Sequence, residues 1–372
     1  MHVGLNLVYL VPGETGGMET YARELIAALA RERPDIRLTG FVSLDAAGAL
    51  SSEPLDVVVV PVNVRRRVEW VRGEQQLLPP LARRAGVDVL HSLAGTGPAW
   101  GAQRRVVTIN DVIYRIYPEA HSRVRALGMS LLVPLAGRRS HRVIAPSQST
   151  ADDLVRLLHV PSEKIDVVPD GVGASAVEGT DPAALRASLD LGERPIVLST
   201  SAKRPHKNLI RLLDAWATLP VPRPLLVLPG YATPHEEELR RRTRDLGIEN
   251  DVRFFGWVSA ADLEGLYALA RCLVFPSLYE GFGLPILEAM ARGLPVACSG
   301  RASLAEVAGA AARLFDPEDA RSIADAVSEL LHNAQLRDRL RSAGYQQAAR
   351  FTWAATAHGT VASYERALEP RD

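Results

Sequence analysis

The sequence predicts an α/β protein of two domains, each a parallel sheet covered by helices on both faces. Three features of its 372 residues carry that reading. Short β-branched apolar runs alternate with longer segments of helical periodicity, which is the pattern of a parallel sheet with crossover helices. The alternation occurs twice. Between the two series lies a Gly/Ala/Pro/Asp-rich passage, VVPDGVGASAVEGTDPAALRASLDLGERP, which reads as a linker at about 170–193. At roughly 100 to 200 residues per domain, the length agrees with two cores.

In the first series, strands are expected near 3–10, 36–43, 56–61, 87–91, 105–109, 142–145 and 165–168, with helices between most of them. In the second, strands are expected near 195–199, 224–229, 252–255, 272–275 and 295–297, and helices near 207–219, 234–246, 260–270, 284–292 and 317–349. The segment 352–368 follows the last α/β unit with no strand to pair with and reads as a closing helix that crosses back onto the first domain.

Composition removes several classes. Hydrophobic residues make up 47% of the chain, and 28 Gly and 25 Pro occur without a repeat, so the chain is neither disordered nor fibrous. The opening MHVGLNLVYLVPG lacks a basic flank and no apolar run reaches membrane-span length, which predicts a cytoplasmic protein, peripheral on the inner face of a membrane at most. Cys272 and Cys298 lie in apolar segments and are expected as buried thiols in a reducing compartment. Forty-three basic residues balance forty-three acids, but residues 61–142 hold fourteen arginines against five acids, and the remainder offsets that excess. Such a stretch is either a solvated face or a surface for an anionic ligand or lipid. Lysine is scarce, with Lys164, Lys203 and Lys207 the full set.

In parallel sheets, ligands sit at the carboxyl ends of strands, so three strand-to-helix loops are the candidates for chemistry. In VPGETGGMETYARELIAAL (11–29), Gly16 and Gly17 allow close backbone approach and the helix start offers amides to a phosphate or sugar hydroxyl, although a plain tight turn reads the same way. The spacing of Gly13, Gly16 and Gly17 does not fit the dinucleotide fingerprint. In STSAKRPHKNLIRLLDAW (199–216), an ammonium at a helix start is poorly placed for the helix dipole unless an anion lies between them, which singles out Lys203 and Lys207. In FPSLYEGFGLPILEAMARGLPVACS (275–299), Glu280 ends a loop, Gly281, Phe282 and Gly283 form a narrow turn, Pro285 sits at a tolerant first helical position, and Glu288 follows on the helix. Amides at 282–284 can meet phosphate or sugar oxygens, and the two carboxylates can accept hydroxyl hydrogens.

The run from Lys207 to Glu306, above all Glu280-Gly-Phe-Gly-Leu-Pro-x-x-Glu288, resembles retaining glycosyltransferases of family 4, which have the GT-B fold of two facing Rossmann-like domains. The Lys207-Asn208 pair, FFGWVS (254–259), SLAEV (303–307), VIAPSQSTADDL (143–154) and IDVVPDGV (165–172) extend the resemblance over nearly the whole chain. It implies an acceptor-binding domain at 1–175, a nucleotide-sugar-binding domain at 190–350 and a closing helix at 351–372. It also implies that Lys207 holds the donor diphosphate. The amides of Phe282, Gly283 and Leu284 would contact sugar and phosphate, Glu280 the donor sugar and Glu288 the ribose. Residues near Tyr231 and Val258 would frame the base, and Gly16 and Gly17 would lie across the cleft near the diphosphate and acceptor.

Two positions depart from the pattern. Many relatives carry an arginine where Ser201 stands, whose charge Lys203 or Arg204 would replace. Relatives also often place a histidine where Asn110 stands in VVTINDV, and Leu93 occupies another such place. His91 remains as a strand-end candidate, alongside the commoner reading of a satisfied structural histidine, and Asp111 is the remaining polar group expected to face the acceptor. Asparagine cannot act as a base, but a front-side retaining mechanism does not need one, because the departing phosphate oxygen can take the acceptor proton. The expected donor is a nucleoside-diphosphate sugar, GDP-mannose ahead of UDP- or dTDP-sugars, and the expected acceptor a glycan, lipid-linked or small molecule. No metal and no other cofactor is expected, since no Asp-x-Asp occurs, and no nucleic-acid partner. A sugar-nucleotide epimerase of the same shape and a non-catalytic nucleotide-sugar-binding partner remain alternatives.

Overall fold

The computed structural model describes residues 1–120, 122–173 and 177–370. Its elements run β1 (His2–Leu7), α1 (Gly17–Glu32), β2 (Arg37–Val42), β3 (Asp56–Val59), α2 (Arg67–Arg72), α3 (Leu78–Arg84), β4 (Val89–Ser92), β5 (Arg104–Thr108), α4 (Ile113–Ile116), α5 (Arg123–Arg139), β6 (Arg142–Ala145), α6 (Gln148–Leu158) and β7 (Ile165–Val167). They continue as α7 (Pro182–Ser188), β8 (Ile196–Leu198), α8 (Leu209–Ala217), β9 (Leu225–Leu228), α9 (His235–Asp245), β10 (Val252–Phe254) and α10 (Ala260–Leu269). The last elements are β11 (Ala270–Phe275), α11 (Leu284–Ala291), β12 (Val296–Ser299), α12 (Ala302–Ala308), β13 (Ala312–Phe315), α13 (Ala320–His332), α14 (Ala334–Ala348) and α15 (Trp353–Leu368).

The chain divides into two compact units, one formed by Met1–Gly171 with the segment from Phe351 onward, the other by Val172–Arg350. The first holds a seven-stranded sheet in the order β3-β2-β1-β4-β5-β6-β7, the second a six-stranded sheet in the order β10-β9-β8-β11-β12-β13. All pairings are parallel. Strands such as VLHS, LLVL and VACS are buried along their whole length because helices cover both faces, which is why they read as continuous apolar runs rather than alternating ones. The order reverses between β1 and β4 in the first sheet and between β8 and β11 in the second. At such reversals the loops leave in opposite directions and open a crevice at the carboxyl edge.

In the first unit, α15 completes the core. Trp353, Ala357, Val361 and Tyr364 pack with Val3, Leu5, Leu25, Val89 and Ile144. Ser363 donates to Asp166 Oδ2 at 2.7 Å, and Arg366 lies 2.8 Å from Asp166 Oδ1. Gly171 passes so close to α15 that a Cβ there would lie 2.3 Å from the Trp353 nitrogen. The second unit has its own core, in which Trp216, Leu212 and Leu213 of α8 meet Leu226, Val274 and Leu330.

Three expectations are corrected. The span read as linker contains α7, opened by Asp181, whose carboxylate accepts the Ala184 amide, followed by Pro182; residues 174–176 of that span lie outside the described residues. An Asp–Pro pair is a helix start, and Leu185 buries itself against Gly265. The helix expected at 317–349 is two helices, broken where Asn333 leaves helical geometry and caps α14 by accepting the Leu336 amide. β13 was not expected, since ARLF is a half-buried edge strand whose arginine interrupts the apolar run. The two cysteines are free and buried.

Candidate active site

In the second unit, the strands flanking the order reversal deliver the lysine and the first glutamate of the sequence pattern. The loop after β8 carries Lys207 and the loop after β11 carries Glu280, and Lys207 Nζ donates to Glu280 Oε1 at 2.6 Å. Both side chains are largely enclosed, and the ammonium also lies 5.5 Å from the centroid of the Phe275 ring. Hydrogen bonds tie the two loops to each other, to α12 and to the segment after β13. Leu278 N donates to His206 O at 2.8 Å, Ser303 Oγ donates to Glu280 O at 2.8 Å, and the Asn208 amide group donates to Pro276 O and Pro317 O at 3.1 and 2.7 Å. Lys207 ends a 3₁₀ turn, and Asn208, in a left-handed conformation, starts α8.

Gly283 caps α11 with φ 117°, and a Cβ there would meet Leu304 Cδ2 at 2.7 Å. Only glycine fits both conditions. Among the described residues no side chain caps the N-terminus of α11, and no acid occupies its first turn, an electrostatic setting that favours an anion there. Gly281 and Phe282 are buried in the turn before it. Glu288 sits one helical turn on, where its Oε2 accepts the Tyr267 hydroxyl at 3.1 Å. Burial, opposed by Arg292 and the Tyr267 bond, holds its carboxyl above the usual range. Among the described residues, the buried hydroxyls of Ser199, Ser277 and Ser299, at the carboxyl ends of β8, β11 and β12, have no protein partner. The motif reading missed them because serine after an apolar run looks like ordinary loop punctuation.

Lys203 is corrected. It is fully buried, and its Nζ donates to Gly230 O at 2.6 Å and to Phe255 O, with Glu236 Oε2 at 3.8 Å. Burial pushes the ammonium down to about 8. Its charge is spent on backbone carbonyls, so it ties together the loops after β8, β9 and β10 and cannot replace the arginine missing at Ser201. Arg204 is half-buried on the same loop, and among the described residues no ion pair engages it. Ser201 itself packs by its backbone, since a Cβ on Gly230 would lie 2.0 Å from its carbonyl oxygen. The stapled loops present Tyr231, whose ring lies 4.8 Å from that of Trp257, beside the half-buried Val258. Trp257 is 70% exposed.

In the first unit, Gly16 (φ 62°, ψ −135°) caps α1, Gly17 is its first residue, and Glu19 Oε2 accepts the Gly13 amide. His91 is corrected: it is fully buried, its ring nitrogens are hydrogen-bonded at 2.8 Å each to the Tyr364 and Thr108 hydroxyls, and burial pushes it down to about 3. It is a neutral brace between the sheet and α15, not a base. Asn110 and Asp111 do lie after β5. The Asn110 amide donates to Leu93 O at 3.5 Å, and Asp111 Oδ1 accepts the Ile113 amide at 2.9 Å, which starts α4. The basic excess of 61–142 is partly neutralised from outside the stretch, Arg65 by Glu14 and Asp45, Arg142 by Asp166. Among the described residues no helix is long and apolar enough to cross a membrane, and no group of three His, Cys, Asp or Glu is placed to hold a metal ion.

Two parallel α/β units, with a lysine–glutamate pair and a glycine-started helix at one order reversal, place the chain in the class of two-unit α/β proteins with polar groups gathered on strand-end loops. Residues 15–175 match the model of Glycosyltransferase Family 4 and residues 182–347 that of Glycosyl transferases group 1. The chain belongs to the family 4 glycosyltransferases. It is 31% identical over 270 residues to O-antigen chain mannosyltransferase B of Escherichia coli, covering 71% of this chain and 70% of that one. It is 31% identical over 314 residues to the D-inositol 3-phosphate glycosyltransferase of Frankia alni, covering 81% and 73%. The match to the E. coli serotype-specific mannosyltransferase WbdA spans only 29% of that longer protein. Among solved structures, Anabaena Alr3699/HepE in complex with UDP and glucose aligns over 98% of this chain and 99% of its own, at TM-score 0.77 and 22% identity. Sucrose-phosphate synthase from Thermosynechococcus elongatus aligns over 98% of each at TM-score 0.78 and 21% identity. The fold is GT-B.

Proposed function

We propose that the chain is a retaining hexosyltransferase that moves a sugar from a nucleoside-diphosphate donor, GDP-mannose first among them, to an acceptor hydroxyl without a metal ion. The observation that carries the reading is the 2.6 Å Lys207–Glu280 pair beside the uncapped start of α11. When a donor enters, its diphosphate competes with Glu280 for the ammonium, and the carboxylate is released to accept sugar hydroxyls. Lys207, Arg204 and the α11 amides then stabilise the charge that grows on the leaving diphosphate. The departing phosphate oxygen takes the acceptor proton, so Asn110 need not act as a base, and Asp111 faces the acceptor. Glu288 receives the ribose, Tyr231 and Val258 frame the base, and Gly16 and Gly17 approach the diphosphate. Mannose is favoured because relatives such as the E. coli enzyme are mannosyltransferases, and the Anabaena protein, which holds UDP and glucose on the same fold, supports a nucleoside-diphosphate donor while keeping UDP-sugars in play.

The acceptor is anionic or membrane-linked, and the protein works in the cytoplasm at the inner membrane face. Supporting this is α5, whose Val124, Leu127 and Leu131 are 68%, 67% and 67% exposed along one helical stripe, in a helix with arginines at both ends and no acid.

The test combines thermal-shift screening against UDP, GDP, dTDP and ADP with transfer assays of Lys207→Ala and Glu280→Ala. One nucleotide should stabilise the chain selectively, and each variant should lose at least about a hundredfold in transfer. Unimpaired transfer in both variants overturns the proposal. Isomerised donor without an acceptor product would favour the epimerase, and tight binding with no turnover the non-catalytic partner.

A further inference from the structure

At the opposite edge of the second sheet, where β11 and β12 begin, a cavity of about 240 Å³ is lined by Arg271, Arg292, Arg337 and Arg341, together with Tyr267, Gly293 and small or apolar residues of the adjoining strand starts. Glu280 follows the carboxyl end of β11 and Lys207 that of the neighbouring β8, so this cavity is separate from the donor site. Four arginines thus line a space with room for roughly eight waters.

Two of the four charges are answered within the protein. Arg292 is paired with Glu264, and Arg341 lies 2.9 Å from Asp338 Oδ1. Arg337 is only 8% exposed and spends one nitrogen on Leu330 O and Leu331 O, at 2.9 and 3.0 Å, which terminates α13 but supplies no negative charge. Arg271 is exposed and enters no ion pair among the described residues. Burial, together with the neighbouring Arg271 and against the pull of Asp338, pushes the Arg337 guanidinium down from its ordinary value. Arginine forks match the geometry of phosphate oxygens, and arginines only partly compensated around a space of this size favour an anion over an apolar guest.

We propose that this cavity binds a phosphate-class oxyanion, either free or as the phosphoryl group of a small metabolite. Its wall is also the back of the donor site. Arg292 Nη1 donates to Glu288 O at 2.8 Å, its guanidinium lies 4.8 Å from the Tyr267 ring centroid, and the Tyr267 hydroxyl donates to Glu288 Oε2. An anion that draws Arg292 toward the cavity therefore changes how Glu288 is held. This coupling, unlike the site itself, rests on reading Glu288 as the ribose contact.

Calorimetric titration of the full chain carrying Lys207→Ala, which weakens phosphate binding at the donor site, isolates the second site. Inorganic phosphate, pyrophosphate and a hexose 6-phosphate are the probes. One equivalent should bind, at least tenfold more weakly after adding Arg271→Gln and Arg341→Gln. Arg271→Gln alone, at an exposed position, should weaken it severalfold and serves if the combined variant does not fold. Tighter binding of the hexose phosphate assigns a metabolite, tighter binding of the inorganic ions the free anion. Absence of binding in the Lys207→Ala chain, or affinity unchanged by the arginine substitutions, overturns the site. Phosphate also competes at the intact donor site, so the coupling is read as a difference: at a phosphate concentration that fills the native cavity but not that of the Arg271→Gln, Arg341→Gln enzyme, the donor KM should differ from its phosphate-free value by a larger factor in the native enzyme; equal shifts where calorimetry shows binding overturn the coupling and leave the site standing.

Discussion

Two lysines four residues apart have opposite fates. Scarcity singled out both, and the helix-start position marked Lys207, but letters do not say which way a flexible side chain turns. Lys207 reaches Glu280 at the edge of β11, whereas Lys203 turns inward to Gly230 O and Phe255 O. A buried ammonium with a pKa near 8 disfavours its own charged form. The unfolded chain, at the ordinary 10.5, holds the proton up to higher pH, so between pH 8 and 10.5 it binds more protons than the folded one. The contribution of Lys203 to stability must then rise with pH across that window, by on the order of 3 kcal/mol in total. Denaturant unfolding of the native chain and Lys203→Met at pH 7.5, 8.5, 9.5 and 10.5 checks this. The native-minus-variant stability difference should climb with pH, and a flat difference would show that Lys203 is not a cost. His91 teaches the same lesson: the strand end was legible, but the hydroxyls of Thr108 and Tyr364 that claim both ring nitrogens come from distant segments.

At the level of elements, the crossover pattern was legible because a parallel strand must be apolar throughout and its helix amphipathic. What escaped was punctuation. Asp181-Pro182 reads as linker until Leu185 finds its place against Gly265, and ARLF reads as coil until β12 offers it an edge. The glycines of the first strand-to-helix loop show how conformation and function separate. Gly16 has φ 62° and ψ −135°, a region open to glycine, so Gly16→Ala should cost about 1–3 kcal/mol in stability. Gly17 is helical and exposed, and a Cβ there meets nothing within 4 Å. Gly17→Ala should therefore leave stability unchanged or raise it by up to about 1 kcal/mol. If the backbone there approaches the diphosphate, the same methyl should cost tenfold or more in transfer. A stable Gly17→Ala enzyme with full activity would remove that residue from the site. Unfolding midpoints and kcat/KM measured on both variants make the comparison.

For the whole molecule, sequence order and membership of a unit differ at one end. α15 follows the second unit in the chain yet belongs to the core of the first, where Trp353, Ala357, Val361 and Tyr364 are buried with residues of β1, β4 and β6. Its polar contacts also close on that unit: His91 to Tyr364, and Asp166 to Ser363, Arg366 and Arg142. Although burial works against it, the Arg142 and Ser363 bonds hold the Asp166 carboxyl below its usual range, so this cluster keeps its strength well into acid. The second unit has a separate core, built from residues of its own span. Ending the chain at Arg350 should therefore act on one unit only. It exposes the apolar faces of β1, β4 and α1, orphans the His91 ring nitrogen and leaves Asp166 with one partner fewer on each oxygen, a combined loss that exceeds the 5–15 kcal/mol stabilising a typical domain. Hydrogen exchange followed by mass spectrometry should show protection lost across residues 1–171 and retained across 172–350. Tyr364→Phe is the graded version, since it keeps the ring and removes the hydroxyl alone, and should cost the first unit about 1–3 kcal/mol. Equal loss of protection in both units, or none in the first, would mean that α15 is not the element that closes the first core.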